Sequence, residues 1–154
     1  MSVITFAHSG TDEFTLMLDR FRANVSDASP AFERMADHQA TVWRRNFNSE
    51  GSYNSGGWTP LSADYGAWKA KNYPGKRILE LTGTLKDSLT SRPFGVDEIT
   101  DTKMIIGTAV DHAKYHQKGT ATMPARPPIG QTTRDDTKEF AKMLHEHIFE
   151  TQGT

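Results

Sequence analysis

The stretch SPAFERMADHQATVWRRNF, residues 29 to 47, decides the fold. Ser29-Pro30 is a helix start signal, with Ser as N-cap and Pro at the first helical position. Phe32, Met35, Ala36, Val42, Trp43 and Phe47 then recur at helical period, with Gln39 inside the stripe. The pattern predicts a long amphipathic helix running to about Asn46. Arg34, Arg44 and Arg45 are expected to face outward or to sit at the C-terminal end, where cations suit the helix dipole.

Upstream, Phe14, Met17, Leu18, Phe21 and Val25 fall at i, i+3, i+4, i+7 and i+11, a second helical stripe expected to be core. The short connection from 25 to 29 predicts that the two helices pack antiparallel. Ser9-x-x-Asp12 is a capping signal for the first of them, and Val3 to His8 has the residues of an edge strand. Downstream, Leu79, Leu81, Leu85 and Leu89 alternate with polar residues. Thr82 to Leu85 predicts a turn and a short helical turn, and Ser88 to Phe94 an edge strand because it contains Pro93. Val96 to Thr100 and Lys103 to Thr108 predict a hairpin about Asp101-Thr102. Gly107 suggests a bulge or a close backbone approach. Thr133 to Glu150 predicts a last helix, with Phe140, Met143, Leu144, His147 and Ile148 on one face, and a tail from Thr151 that frays. The fold class is α+β: a small antiparallel sheet of three to four strands, packed against two long N-terminal helices and a C-terminal helix, with long extended loops.

The 154 residues suit a single domain, 1–154. Lys plus Arg number 18 and Asp plus Glu 19, so the net charge of −1 gives no general attraction to nucleic acid or to an anionic membrane. Only 36% of the residues are hydrophobic and mean hydropathy is −0.62, a thin core of the kind that partner subunits supplement. The absence of cysteine removes disulfides, thiolate metal sites and a Cys nucleophile, and fits a reducing cytoplasm. The N-terminus lacks a basic n-region and a long apolar run, so no signal peptide is expected. No window approaches the roughly 20 apolar residues of a membrane span.

Two long loops, about 48–77 and 111–130, hold the candidate functional residues. The first is rich in Gly, Ser and Asn, then carries Trp58-Thr59-Pro60-Leu61, a short helical candidate from Ser62 to Lys71 with Tyr65 and Trp68, and a break at Asn72-Tyr73-Pro74-Gly75. Large aromatics on loops are the usual anchors of protein interfaces. From Tyr65 to Arg77 there are Lys69, Lys71, Lys76 and Arg77 and no acid, a local charge of +4. The second loop carries Tyr115 and His116, then Arg126 within Pro124-Ala125-Arg126-Pro127-Pro128, a stiff arm that can lie across a neighbour at low entropic cost. The expected subunit or partner interface is Trp58, Pro60, Leu61, Trp68, Lys69, Tyr115, His116, Arg126 and Pro127.

No catalytic set is expected. His145 and His147 are two apart and point to different faces of a helix. His112 and His116 are at i, i+4 but lack a third ligand, so a metal site and a metal-dependent hydrolase are disfavoured. No nucleophile elbow, P-loop or dinucleotide fingerprint occurs, and no cofactor is expected. A small nucleic-acid-binding module using the basic 65–77 loop is the alternative, which a steep salt dependence of DNA binding would favour.

The run Trp58-x-Pro60-Leu61, Lys69, Ile78-Leu79-x-Leu81-Thr82-Gly83-x-Leu85-x-x-Ser88-Leu89 resembles the phage virion morphogenesis, or tail completion, proteins. So does Ile105-Ile106-Gly107-Thr108, followed by Ala113, His116-Gln117-x-Gly119 and Pro124-Ala125-Arg126-Pro127. The pattern departs at His112 and Pro128, where an aromatic is expected. The resemblance implies a structural virion protein, made in the host cytoplasm, that completes the tail or neck. It implies a homo-oligomeric ring, commonly a hexamer, at the tail end. Such a ring surrounds the DNA channel without reading sequence, meets the tail tube and head–tail connector proteins, and has no membrane partner.

Overall fold

The computed structural model describes residues 11–149, so the strand expected over Val3 to His8, the Ser9 end of the capping signal and the C-terminal tail lie outside the described residues. Six helices and one hairpin follow in the order α1 (Thr11–Ser26), α2 (Ser29–Asn48), α3 (Ala63–Asn72), α4 (Thr84–Thr90), β1 (Val96–Ile99), β2 (Met104–Gly107), α5 (Ala113–Lys118) and α6 (Arg134–Phe149). The α+β class stands. The sheet of the described residues has two antiparallel strands, fewer than the three to four expected, with Val96 opposite Gly107 and Ile99 opposite Met104.

The amphipathic helix read from residues 29 to 47 is the hub. α2 packs against α4, α6 and both strands. It buries Met35, Ala36, Ala40, Val42, Trp43 and Phe47. One apolar cluster joins Trp43 and Phe47 to Trp58, Leu85, Leu89 and Phe94, with Met104 and Ile106 of β2 packed against it. Trp43 meets Phe94 edge-on at 5.4 Å, a geometry that aligns ring edge with ring face. A second, smaller cluster places Ala31 and Met35 against Met143, flanked by Phe32, Phe140 and Leu144. α6 starts in a reciprocal cap. Asp136 accepts from the Thr133 amide (3.0 Å) and hydroxyl (2.6 Å), and its own amide donates to the Thr133 hydroxyl (3.1 Å). His38 of α2 contacts the same carboxylate at 3.2 Å, which ties the cap to the hub.

Three local expectations are corrected. Ala28, not Ser29, is the N-cap of α2, and Asp27 supplies the missing acceptor by taking the Ser29 amide (2.9 Å) and hydroxyl (2.6 Å). Ser88 to Phe94 is not a strand: Leu85 and Leu89, four apart, share one face of α4 and bury it on α2. The chain then turns through a cis Arg92–Pro93 bond. Gly107 forms no bulge, since it pairs in register with Val96 and nothing crowds its Cα; the close approach is at Gly95, where an added Cβ would lie 2.8 Å from the Ala109 nitrogen. Arg44 faces outward as expected, and its guanidinium also donates to the Thr90 carbonyl at 2.7 Å and so caps the C-terminus of α4.

The largest correction concerns α1. Its stripe was expected to be core packed antiparallel on α2, yet Phe14, Met17, Leu18, Phe21 and Val25 are all exposed. α1 instead packs on α6. Phe21 meets Phe149 at 5.8 Å, Asn24 donates to the Ile148 carbonyl at 3.5 Å, and the His147 ring lies 2.6 Å from the Asp27 carbonyl. Helical period identifies the apolar face of a helix but not what covers it.

Candidate functional site

The two long loops close on each other and on the C-terminal end of α2. Asn46, on the buried face of α2 three residues after Trp43, is the organiser. It is fully buried, and its amide nitrogen lies 3.2 Å from the Pro128 carbonyl, 3.3 Å from the Pro127 carbonyl and 3.1 Å from the Ser55 hydroxyl. Ser55 donates to the Pro127 carbonyl at 3.1 Å, and the Trp58 indole N–H donates to the same oxygen at 3.0 Å. From the other side Arg126 donates through Nε to the Thr59 carbonyl (2.6 Å) and through Nη2 to the Pro60 carbonyl (2.8 Å). Backbone bonds complete the clasp: Arg126 N–H to the His116 carbonyl (2.8 Å) and Gln131 N–H to the Asn54 carbonyl (3.0 Å). Prolines cannot donate, but they retain carbonyls that accept, and α2 and the first loop supply the donors.

Close backbone approach makes room for the clasp. Gly51 has φ +85°, and a Cβ there would sit 2.3 Å from the Trp58 ring. Trp58 thus lies flush on the loop backbone and meets Phe47 edge-on at 5.4 Å.

The nine expected interface residues divide into two groups. Trp58, Lys69 and Arg126 are buried within their own chain, so the expectation that these side chains reach a neighbour is corrected: their donors pair with backbone carbonyls of the same chain. Lys69 donates to the Arg77 carbonyl. Burial, with Lys76 nearby, holds its ammonium pKa below the usual lysine range, against the opposing pull of Glu80 and Glu50. Pro127 is half-buried and contributes its carbonyl. Pro60, Trp68 and Tyr115 are exposed, and Leu61 and His116 are half-buried. The alternative nucleic-acid reading also loses ground, since Lys69 and Arg77 both bond backbone carbonyls, Arg77 that of Asn48. Lys71 and Lys76 remain exposed.

Beside the clasp lies an open groove of about 720 Å3, whose walls include Leu61, Tyr65, Leu79, Leu81, His116 and Arg126. His116 meets His112 edge-on at 5.7 Å. Burial first, then the charges of His112 and Arg126, lower the His116 pKa, so its ring is neutral at pH 7. Among the described residues no group of three or more His, Asp or Glu gathers as metal ligands, and no helix is long and apolar enough to cross a membrane. On the flank of α3, Tyr65 stacks on Trp68 at 5.5 Å and Trp68 meets Tyr73 at 5.6 Å, a ladder of three exposed rings. Asn46, Ser55 and Asn54 escaped the sequence reading. The available signal for Asn46 was its phase, since it continues the apolar stripe of α2 as a polar residue.

The chain belongs to the phage virion morphogenesis family, which matches residues 10–148. It is similar to the Mu-like prophage FluMu G protein 1 of Haemophilus influenzae, with 30% identity over 131 residues, 83% of this chain and 84% of that protein. No solved structure gives a significant match. Membership makes it a bacteriophage protein with a structural role in virion assembly.

Proposed function

We propose that the protein completes the phage tail or neck, forming a ring at the tail end and helping to join tail to head. The observation that carries this reading is the clasp. It joins the two loops that hold the family motifs into one preorganised surface, with the groove, the exposed Pro60 and Tyr115 and the half-buried Leu61 around it. A surface already ordered in the free chain binds with less entropic loss than a loose loop. Its occupants are the tail tube and the head–tail connector proteins, and the ring, a hexamer, encloses the DNA channel without reading base sequence. The protein is made in the host cytoplasm and ends in the virion.

The experiment is complementation of a phage lacking this protein with Leu61→Glu and, separately, Tyr115→Ser. Neither residue is part of the core clusters, so circular dichroism should stay native while the yield of joined heads and tails falls. Normal yields from both variants would show that this surface meets no partner. A particle-mass measurement across concentration tests the ring itself.

A further inference from the structure

We propose that the α1 arm of one copy of this chain docks head to tail on the aromatic ladder of α3 in a second copy. The proposal rests on the reading that the chain forms rings, and it names the two faces that meet. The arm is the larger of them. Phe14, Leu16, Met17, Leu18, Phe21 and Phe149 are 40–61% exposed, and all of them but Phe14 line a groove of about 560 Å3 between α1 and the end of α6. At roughly 100 Å2 of exposed surface per residue, the arm offers about 600 Å2 of apolar area. That is the top of the range for the largest patch on an ordinary monomer, about 300–600 Å2. Tyr65, Trp68 and Tyr73 add roughly 300 Å2 on the ladder.

Partners bury comparable area on each side, so the ladder covers about 300 Å2 of the arm and the two faces together would remove about 600 Å2 of apolar surface from water; at about 60% apolar content the whole contact comes to roughly 1,000 Å2, the lower bound for a specific interface.

Charge chooses the pairing. The first half of α1, Thr11 to Asp19, carries Asp12, Glu13 and Asp19 and no cation; Arg20 and Arg22 fall in the second half. The ladder is flanked by Lys71 and Lys76, both exposed, and the chain from Tyr65 to Arg77 contains no acid. Arm on arm would set acids against acids, and ladder on ladder lysines against lysines. Arm on ladder sets acids against lysines, with apolar side chains on aromatic faces between them. The two faces are different surfaces of the same chain, so the contact is heterologous. Such contacts repeat around a closed ring when the rotation between neighbours closes.

The test uses two full-length variants, one with a disabled arm (Phe14→Ser with Met17→Ser) and one with a disabled ladder (Trp68→Ser). All three positions are exposed, so thermal melting should confirm an intact fold in each. Mass is measured by light scattering across concentration. Wild type should assemble beyond a dimer, and each variant alone should associate about 30-fold more weakly or worse. Mixed in equal amounts, the variants should form a one-to-one dimer and stop there, because one live arm meets one live ladder and both remaining faces are dead. Charge reversal gives a second check. Asp12→Lys with Glu13→Lys, and Lys71→Glu with Lys76→Glu, should each weaken assembly alone and restore it when combined in one chain.

Assembly lost in the arm variant but kept in the ladder variant would overturn the proposal in favour of an arm-to-arm contact. A mixture that stays monomeric would also overturn it, as would loss of short-DNA binding in place of self-association in Trp68→Ser. If both variants assemble like wild type, this contact is wrong and the ring stands. A wild type that is monomeric at every concentration removes the ring as well.

Discussion

Replacing Asn46 should separate the clasp from the hub without touching the exposed surface. In Asn46→Ala the Pro127 carbonyl keeps two donors, the Trp58 indole at 3.0 Å and the Ser55 hydroxyl at 3.1 Å. The Pro128 carbonyl keeps none among the described residues, since Asn46 is its donor. An amide nitrogen has only two hydrogens for its three nearby acceptors, so two net bonds are lost rather than three. One lost bond to a carbonyl that stays paired costs about 1 kcal/mol, and one buried acceptor left unpaired costs about 1–3 kcal/mol. The expected loss is therefore about 2–4 kcal/mol, read from urea unfolding with Trp fluorescence. Asn46→Asp keeps the shape but sets a carboxylate against two carbonyl oxygens, so it should cost at least as much at pH 7. Burial raises that new carboxyl's folded pKa above its unfolded value of about 3.9, so the penalty appears above pH ~4 and should shrink as pH falls toward it. If Asn46→Ala loses under about 1 kcal/mol, or Asn46→Asp matches it at every pH, then Asn46 is not the pin between α2 and the proline arm.

Three further outcomes follow from the same packing. Trp58→Ala should destabilise by ~3–5 kcal/mol, and Trp58→Phe, which keeps a ring on Phe47 but loses the bond to Pro127, by about 1–2 kcal/mol; chemical denaturation distinguishes them, and a near-native Trp58→Ala would return Trp58 to an interface role. Phe21→Ala should cost roughly 1–2 kcal/mol in dilute monomeric protein, because it is only partly covered there, with Phe149 against its ring, and a loss above about 3 kcal/mol would mean the arm is covered within the chain. Asp136→Asn should cost roughly 1–2 kcal/mol at pH 7 through the α6 cap. Burial would raise the Asp136 pKa, but the Thr133 hydroxyl and amide and His38 outweigh it and hold the carboxyl below its ordinary value. Its folded pKa is thus depressed, so the contribution is present above pH ~4 and lost as pH falls through the folded value. Stability curves of wild type and variant should converge in acid, and a constant gap from pH 7 to pH 2 would refute the assignment.

Local pattern carried much of this protein. The stripe from Phe32 to Phe47, the turn at Asp101-Thr102, the α3 segment and the last helix depend on the spacing of apolar residues and on turn chemistry, both of which a linear sequence displays. The motif order from Trp58 to Pro127, which a linear sequence displays, likewise points to the family. What only the tertiary structure decided is where each face goes. Phe14, Met17 and Phe21 have the period of a core helix, yet α1 lies on α6 with that face open, because periodicity records an amphipathic side and not its cover. Trp58 and Arg126, chosen as outward anchors, turn inward because carbonyls of a loop some seventy residues away accept their protons. Asn46 is invisible as an organiser until Pro127 and Pro128 are folded against it. Hydrogen bonds between residues this far apart in sequence leave no periodic trace, so they emerge only once the chain has closed on itself.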